Sequence, residues 1–183
     1  MNVLIAFATT EGQTRKISRA MAQTLKNQQH DATLYDCAAN STRPDIDDFD
    51  CVILAASVHH QRYQTDFYNF VTSHLDSLQK RPVAFVSVSL SVTLASGEAE
   101  AKSYVDDFTK ETGLIPDAVH LAEGAVRYFE YSPSDELTVD LIVFKGQKKM
   151  PERTSNPEYT DWLALDTFAQ QFAKDAMEIK SKV

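Results

Sequence analysis

Short apolar runs alternate with longer segments of helical period along the chain, and this alternation constrains the fold more than any other feature. The clearest runs are CVILAAS (51–57) and PVAFVSVSL (82–90), and central strands of a parallel sheet are apolar on both faces in this way. Strands separated by helical crossovers predict an α/β fold with a doubly wound, five-stranded parallel sheet. The predicted strands are 2–8, 32–37, 51–57, 82–89 and 118–126.

Apolar residues at helical spacing mark three helices between and after these strands. The three stripes are Ile17, Met21 and Leu25; Phe67, Phe70, Val71, His74 and Leu78; and Trp162, Leu165, Phe168, Ala169, Phe172 and Ala176. Ligands of doubly wound sheets bind beyond the carboxyl ends of the strands, where the strand order reverses. The turn after the first strand is therefore the first place to look for a site.

Length and composition set the class of protein. A chain of 183 residues with 43% hydrophobic content predicts one compact domain over 1–183. A net charge of −8 disfavours a general nucleic-acid binder. Cys37 and Cys51 form no CxxC pair, so neither a disulfide framework nor a metal site is predicted and a reducing cytoplasm is the expected location. The run VLIAFA is too short to span a membrane and leads into no cleavage site.

The stretch ATTEGQTRK follows the first strand and leads into the first helix. It lacks the GK[ST] ending of a Walker loop and the three glycines of a dinucleotide fingerprint. It also lacks the clustered carboxylates of a phosphate-accepting receiver. Thr9, Thr10 and Thr14 surround the single Gly12 at a helix N-terminus, which suits a monophosphate. The alternative is an ordinary helix start with Thr10 or Thr14 as the capping hydroxyl.

The turn resembles the FMN-phosphate loop of flavodoxin-like proteins. Five stretches in order resemble, more narrowly, the menaquinone-dependent protoporphyrinogen IX dehydrogenases. They are FATTEGQTRKI, ASVHHQRYQTDFYNFV, AFVSVSL, GAVRY and YTDW. The resemblance covers nearly the whole chain and implies a flavodoxin-like fold with FMN as cofactor.

The resemblance also implies which residues bind FMN. Those expected at the phosphate are Thr9, Thr10, Glu11, Gly12, Gln13 and Thr14, with the Glu11 side chain pointing outward. Those expected beside the isoalloxazine ring are Ser57, Val58, His59, Tyr63, Ser89, Leu90 and Ser91. Two alternatives stay open, because Tyr63 could instead be a surface aromatic residue and His59 and His60 could be solvated turn residues.

In the reaction that the resemblance implies, a porphyrinogen loses six electrons in two-electron steps to FMN, which passes them to menaquinone or another quinone. The flavin carries the redox chemistry, so no catalytic side chain is predicted. The substrate bears propionates. Candidate partners for it are Arg62, Arg127 and Tyr128, with Lys145, Lys148 and Lys149 as further cations.

An insert at about 127–158 follows or interrupts the fifth strand, and it is too long for an ordinary connection. A helix is predicted inside it, with Leu137, Val139 and 141–144 covering most of its circumference. The family's counterpart is implicated in membrane contact, so 137–149 is expected to bind peripherally at the inner face of the cell membrane. The acidic first part of this insert departs from that pattern. The alternative is a segment that covers the sheet edge or forms a homodimer interface.

Three other functions remain open on the sequence. A flavodoxin-type electron carrier fits the acidic net charge but gives the long apolar insert no role. A binding module without a cofactor would have little reason to keep TTEGQT. An NAD(P)H–quinone reductase is the nearest alternative, because the sequence does not reveal which donor reaches the flavin.

Overall fold

The computed structural model describes residues 1–39, 42–93, 97–126 and 157–180. Five strands form one parallel sheet in the order β2-β1-β3-β4-β5, which confirms the predicted sheet. The strands are β1 (Asn2–Ala8), β2 (Asp31–Asp36), β3 (Cys51–Ser57), β4 (Val83–Ser89) and β5 (Ala118–Glu123). The fifth strand was predicted to reach residue 126, but it ends at Glu123. Beyond it, Ala125 instead forms an antiparallel bridge with Glu158.

Five helices lie between and after the strands in the described part of the chain. They are α1 (Gln13–Asn27), α2 (Thr65–Ser73), α3 (Leu75–Leu78), α4 (Gly97–Thr112) and α5 (Trp162–Lys180). The second predicted stripe is divided between α2 and α3, because the backbone leaves helical geometry at His74 (φ −118°, ψ 15°). None of the described helices is long and apolar enough to cross a membrane.

The sheet is covered on both faces. Odd residues of β1 (Val3, Ile5 and Phe7) pack with α1 and α5 on one face, while the even ones pack with the helices α2 and α4 on the other. Every residue of β3 and β4 is buried, as expected for central parallel strands. The outer strands β2 and β5 are partly exposed, since each has one unpaired edge.

An aromatic cluster fills the face covered by α2 and α4. Phe67, Phe85 and Phe108 lie with ring centroids 5.0–5.6 Å apart. Tyr63 joins them, at 5.2 Å from Phe85 and 5.5 Å from Phe108. The Tyr63 hydroxyl shares a 2.8 Å hydrogen bond with Ser87 Oγ in the middle of β4, and burial raises the pKa of this phenol. The prediction that Tyr63 flanks a flavin is therefore wrong, because the ring belongs to the core.

The pair between Tyr63 and Ser87 yields a test of this assignment. We expect Tyr63→Phe and Ser87→Ala each to lower the free energy of unfolding by about 1–2 kcal/mol, since each leaves a buried hydroxyl without its partner. The double variant should lose less than the sum of the two, because it removes both polar groups together. Urea denaturation measures the free energy of unfolding of the flavin-free parent, the two single variants and the double variant. Additive losses would show that the two hydroxyls are not coupled.

Candidate cofactor site

The site lies at the carboxyl edge of the sheet, where the strand order reverses. β1 pairs with β2 on one side and with β3 on the other. The helix α1 packs on one face of the sheet and α2 on the opposite face. The connections that follow β1 and β3 therefore diverge and leave a crevice between them, which is where ligands bind in doubly wound sheets.

The turn from β1 into α1 forms the first wall of this crevice. Gly12 is the N-cap of α1 and has φ +86° and ψ −6°. An added Cβ at Gly12 would meet no atom within 4 Å, so the left-handed backbone conformation, not crowding, favours glycine. The Gly12 N–H donates to Thr9 Oγ1 at 2.9 Å. No side chain caps α1, so the alternative in which Thr10 or Thr14 is the capping hydroxyl is wrong.

Thr14 lies in the first turn of α1 and is fully buried. Its Oγ1 atom has no hydrogen-bond partner. The two basic side chains that follow it are occupied by carboxylates, Arg15 by Asp36 at 2.9 Å and Lys16 by Glu158 at 2.6 Å. An anion at this turn would therefore be held by hydroxyls and by the N–H groups of the helix N-terminus, which carries partial positive charge.

Gln64 connects the turn after β1, which is the first wall of the crevice, to the end of β3 on the other side. Its Nε2 donates to Thr10 Oγ1 at 3.0 Å and to Ser57 Oγ, at the end of β3, at 2.8 Å. Its Oε1 is buried and has no hydrogen-bond partner. This residue was not predicted from the sequence. Its only signal is its place directly before the α2 stripe, as the N-cap residue of that helix.

Gln13 connects the turn to the end of β5. Its Nε2 donates to Thr160 Oγ1 at 2.9 Å, and the Thr160 hydroxyl donates to the Glu123 carbonyl at 2.7 Å. The Gln13 side chain is thus directed at the YTDW stretch. In the same stretch, Asp161 Oδ1 accepts from the N–H groups of Leu163 and Ala164 in the first turn of α5, at 3.0 and 2.9 Å. These contacts give a structural role to a stretch that sequence reasoning had recognised only by resemblance.

The two ends of the insert also meet at this edge. The N–H of Val126 donates to the Pro157 carbonyl at 2.9 Å, and the N–H of Tyr159 donates to the Gly124 carbonyl at 3.2 Å. The chain therefore departs from the sheet after residue 126 and returns beside it at residue 157. The predicted helix and lysines of the insert lie outside the described residues, as do Arg127 and Tyr128.

A tight turn follows β3. His59 and Arg62 exchange two backbone hydrogen bonds, at 2.8 and 3.1 Å, and His60 and Gln61 between them have φ +48° and +63°. This is the backbone of a two-residue hairpin turn that normally takes Asn-Gly. Non-glycine residues in this conformation cost about 1–3 kcal/mol each and concentrate at functional sites.

Glu11 is turned into the site and not away from it. Its Oε1 lies 3.2 Å from Nδ1 of His59, and only 16% of its side chain is exposed. The prediction that Glu11 points outward is wrong. A carboxylate with no partner beside an anion site would be expected to turn toward solvent. Here the turn after β3 places the His59 imidazole next to the Glu11 carboxylate.

The end of β4 forms the second wall together with the end of β3. Ser57 pairs with Val88 in the sheet, and the Val58 N–H continues the ladder to the Val88 carbonyl at 2.8 Å. Ser89 is buried and its Oγ has no hydrogen-bond partner. Leu90 is half-buried, and Ser91 is buried in a 3₁₀ turn. The predicted ring-side residues other than Tyr63 thus lie on neighbouring strand ends.

Arg62 is the one predicted substrate residue among those described. Its guanidinium donates to Glu111 at 2.7 Å and lies 5.5 Å from the centre of the Tyr68 ring. A propionate at Arg62 would compete with that carboxylate. Within the described residues, no group of three His, Cys, Asp or Glu side chains could hold a metal ion.

Comparisons with known proteins agree with this architecture. The chain matches the Flavodoxin domain family over residues 4–154. It is 31% identical over 177 residues to protoporphyrinogen IX dehydrogenase [quinone] of Escherichia coli (strain K12), covering 94% of this chain and 95% of that protein.

Two solved structures show the same fold. The oxidised flavodoxin 1 of Bacillus cereus superimposes with a TM-score of 0.57 at 16% identity, covering 95% of this chain and 98% of that one. The Fusobacterium nucleatum flavodoxin bound to flavin mononucleotide superimposes with a TM-score of 0.50 at 14% identity, covering 99% and 98%. The chain therefore belongs to the flavodoxin-domain family and is related over nearly its whole length to quinone-linked protoporphyrinogen IX dehydrogenase.

Proposed function

We propose that this protein is an FMN-dependent oxidoreductase that oxidises protoporphyrinogen IX and passes the electrons to a quinone such as menaquinone. The observation that supports this most is the relationship to the E. coli dehydrogenase, which extends over 94% of this chain and 95% of that protein. We further propose that residues 1–183 form one flavodoxin-like domain with an insert at about 127–158.

The cofactor proposal is supported by unpaired polar atoms around the crevice. Thr14 Oγ1, Gln64 Oε1 and Ser89 Oγ are buried without hydrogen-bond partners, and they come from α1, from the residue before α2 and from the end of β4. Buried polar atoms are normally paired. A ligand with a phosphate, hydroxyl groups and a polar ring edge supplies such partners, whereas a dinucleotide would need further glycines beside Gly12.

The residues proposed to hold FMN fall into two groups. At the phosphate are the backbone and hydroxyl groups of 9–14, without the side chains of Glu11 and Gln13, which have other contacts. At the ring are Ser57, Val58, His59, Ser89, Leu90 and Ser91. When bound, FMN supplies the two-electron chemistry of both half-reactions. The chain's own contribution is orientation, because Gln64 fixes the phosphate turn against the end of β3.

The phosphate site can be tested by removing one buried hydroxyl. We expect Thr14→Val to weaken FMN binding about 10- to 150-fold, since a hydrogen bond to a charged group contributes about 1.5–3 kcal/mol. The flavin-free variant should be at least as stable as the parent, because the lost Oγ1 has no partner in the protein. Flavin fluorescence quenching measures the affinity, and urea denaturation measures the stability.

Ser18→Ala is the matched control. Ser18 is also fully buried, its Oγ is also unpartnered, and it lies one turn farther along α1. We expect it to leave FMN affinity unchanged. If the Thr14→Val protein binds FMN as tightly as the parent, the Thr14 hydroxyl is not part of the phosphate site. If Ser18→Ala weakens FMN binding as much as Thr14→Val does, the effect is a general one on α1.

The reaction can be tested anaerobically with FMN-loaded protein. We expect protoporphyrinogen IX to bleach the flavin absorbance and a quinone to restore it, with slow turnover when oxygen is the only acceptor. NADPH should be a poor donor. Fast reduction by NADPH without reduction by porphyrinogen would identify a quinone reductase, and reduction by neither would favour an electron carrier.

Membrane contact through 137–149 is also proposed, supported by the attachment of the insert beside the site. Burial of large apolar side chains contributes roughly 1.5–3 kcal/mol each. Val143→Asp with Phe144→Ser should therefore reduce co-sedimentation with anionic vesicles at least about tenfold. The control is Ile115→Ser, an apolar residue 79% exposed that precedes β5. Unchanged co-sedimentation would refute membrane contact, and loss of a dimer in gel filtration would favour the interface alternative.

A further inference from the structure

Glu11 and His59 join the two loops that border the crevice. Glu11 belongs to the turn after β1, and His59 lies two residues beyond the end of β3. Their side chains approach to 3.2 Å, between Oε1 and Nδ1. Nothing in the redox chemistry of a flavin or in the binding of a phosphate accounts for this pair.

The pair is partly sheltered. The Glu11 side chain is 16% exposed and that of His59 is 32% exposed, so the imidazole borders the crevice but still reaches solvent. The 3.2 Å approach places the Glu11 carboxylate against the Nδ1 edge of the imidazole, which favours the proton on Nδ1 and a free lone pair on Nε2. A carboxylate that fixes one nitrogen of a histidine in this way orients the other nitrogen as a base.

The surroundings of His59 add to this orientation. The two backbone hydrogen bonds to Arg62 hold the His59 main chain, and the residues between them are kept at positive φ. The His60 ring lies edge-on at 4.2 Å. Arg62, the other charged residue of the turn, is directed at Glu111. From the end of β4, the neighbouring residues Ser89, Leu90 and Ser91 carry no charge.

We infer that His59, oriented by Glu11, is the base that accepts the pyrrole N–H proton when the porphyrinogen is oxidised; this inference rests on the proposed function. In each two-electron step, one C–H bond of a bridging methylene breaks and its electron pair leaves with the hydrogen as hydride to the bound flavin. In two of the three steps a pyrrole N–H bond breaks, its proton goes to His59 Nε2, and its electrons complete a new double bond in the macrocycle. In the remaining step the proton comes from the fourth methylene C–H bond, so that the product keeps two N–H groups and one hydrogen on each bridge. His59 then releases the proton to solvent, and Glu11 acts as a positioning residue.

The kinetic test follows flavin reduction by protoporphyrinogen IX in a stopped-flow instrument, without oxygen and at saturating FMN. We expect His59→Ala to slow this half-reaction about 100-fold or more, as removal of a general base does, and added imidazole to restore part of the rate. Glu11→Ala should slow flavin reduction less than His59→Ala does. Glu11→Gln retains an acceptor for Nδ1–H and should slow it least of the three. The control is Gln61→Asn, since Gln61 lies in the same turn but carries no ring and asparagine tolerates the positive φ of this position; its rate should stay near that of the parent.

A second measurement uses the FMN-free protein. At pH 9, ¹⁵N–¹H spectra should show the His59 ring protonated at Nδ1 and not at Nε2, and Glu11→Ala should abolish this preference. An Nε2–H tautomer in the parent protein would overturn the inference. So would unchanged flavin reduction in His59→Ala, or a slow His59→Ala that imidazole does not accelerate. Failure of the parent protein to be reduced by porphyrinogen would overturn both the inference and the proposed function, whereas the other outcomes leave that function standing.

Discussion

Complete burial of the central strands is the constraint on which the rest of the structure depends. β3 and β4 are buried throughout, and β1 is buried from Val3 to Ala8. Strands in this position can accept polar side chains only where a partner is built for them, as Ser87 is matched by Tyr63. Polar residues therefore collect where the strands end, beside the N-termini of the helices. The crevice and its unpaired hydroxyl groups follow from this arrangement.

Electrostatics at the crevice follow a second pattern, in which the two basic side chains in the first turn of α1 are paired with carboxylates. Arg15 pairs with Asp36, Lys16 with Glu158, and Glu11 faces His59. Pairs this exposed contribute little to stability, so their effect is on position and local field. With Arg15 and Lys16 paired, the positive field at the β1–α1 turn comes mainly from the helix N-terminus. A protein of net charge −8 can thereby present the proposed phosphate site without a basic patch.

Sequence patterns predicted the parts of the fold and site that depend on local rules. Apolar runs located the central strands β1, β3 and β4, because burial on both faces leaves few polar positions in them, and hydroxyls around one glycine located the turn into α1. The errors concern contacts between distant segments. Tyr63 was placed beside a flavin because nothing near it in sequence shows that Phe85, Ser87 and Phe108 surround it. The orientation of Glu11 depends on its contact with His59. The role of Gln64 depends on the hydroxyls of Thr10 and Ser57, which lie after β1 and at the end of β3.

The link between the first turn and the last helix gives a physical reason for TTEGQT and YTDW to occur together. Gln13 begins α1 and donates to Thr160, Thr160 donates to the backbone of β5, and Asp161 caps α5. One hydrogen-bonded chain thus joins the proposed phosphate site, the edge strand and the point where the insert returns. Because Gln13 and Thr160 are buried, loss of the hydrogen bond between them should cost about 0.5–1.5 kcal/mol. The position of the chain at 159–161, just after the insert, is therefore fixed by the same residues that shape the turn at the proposed cofactor site.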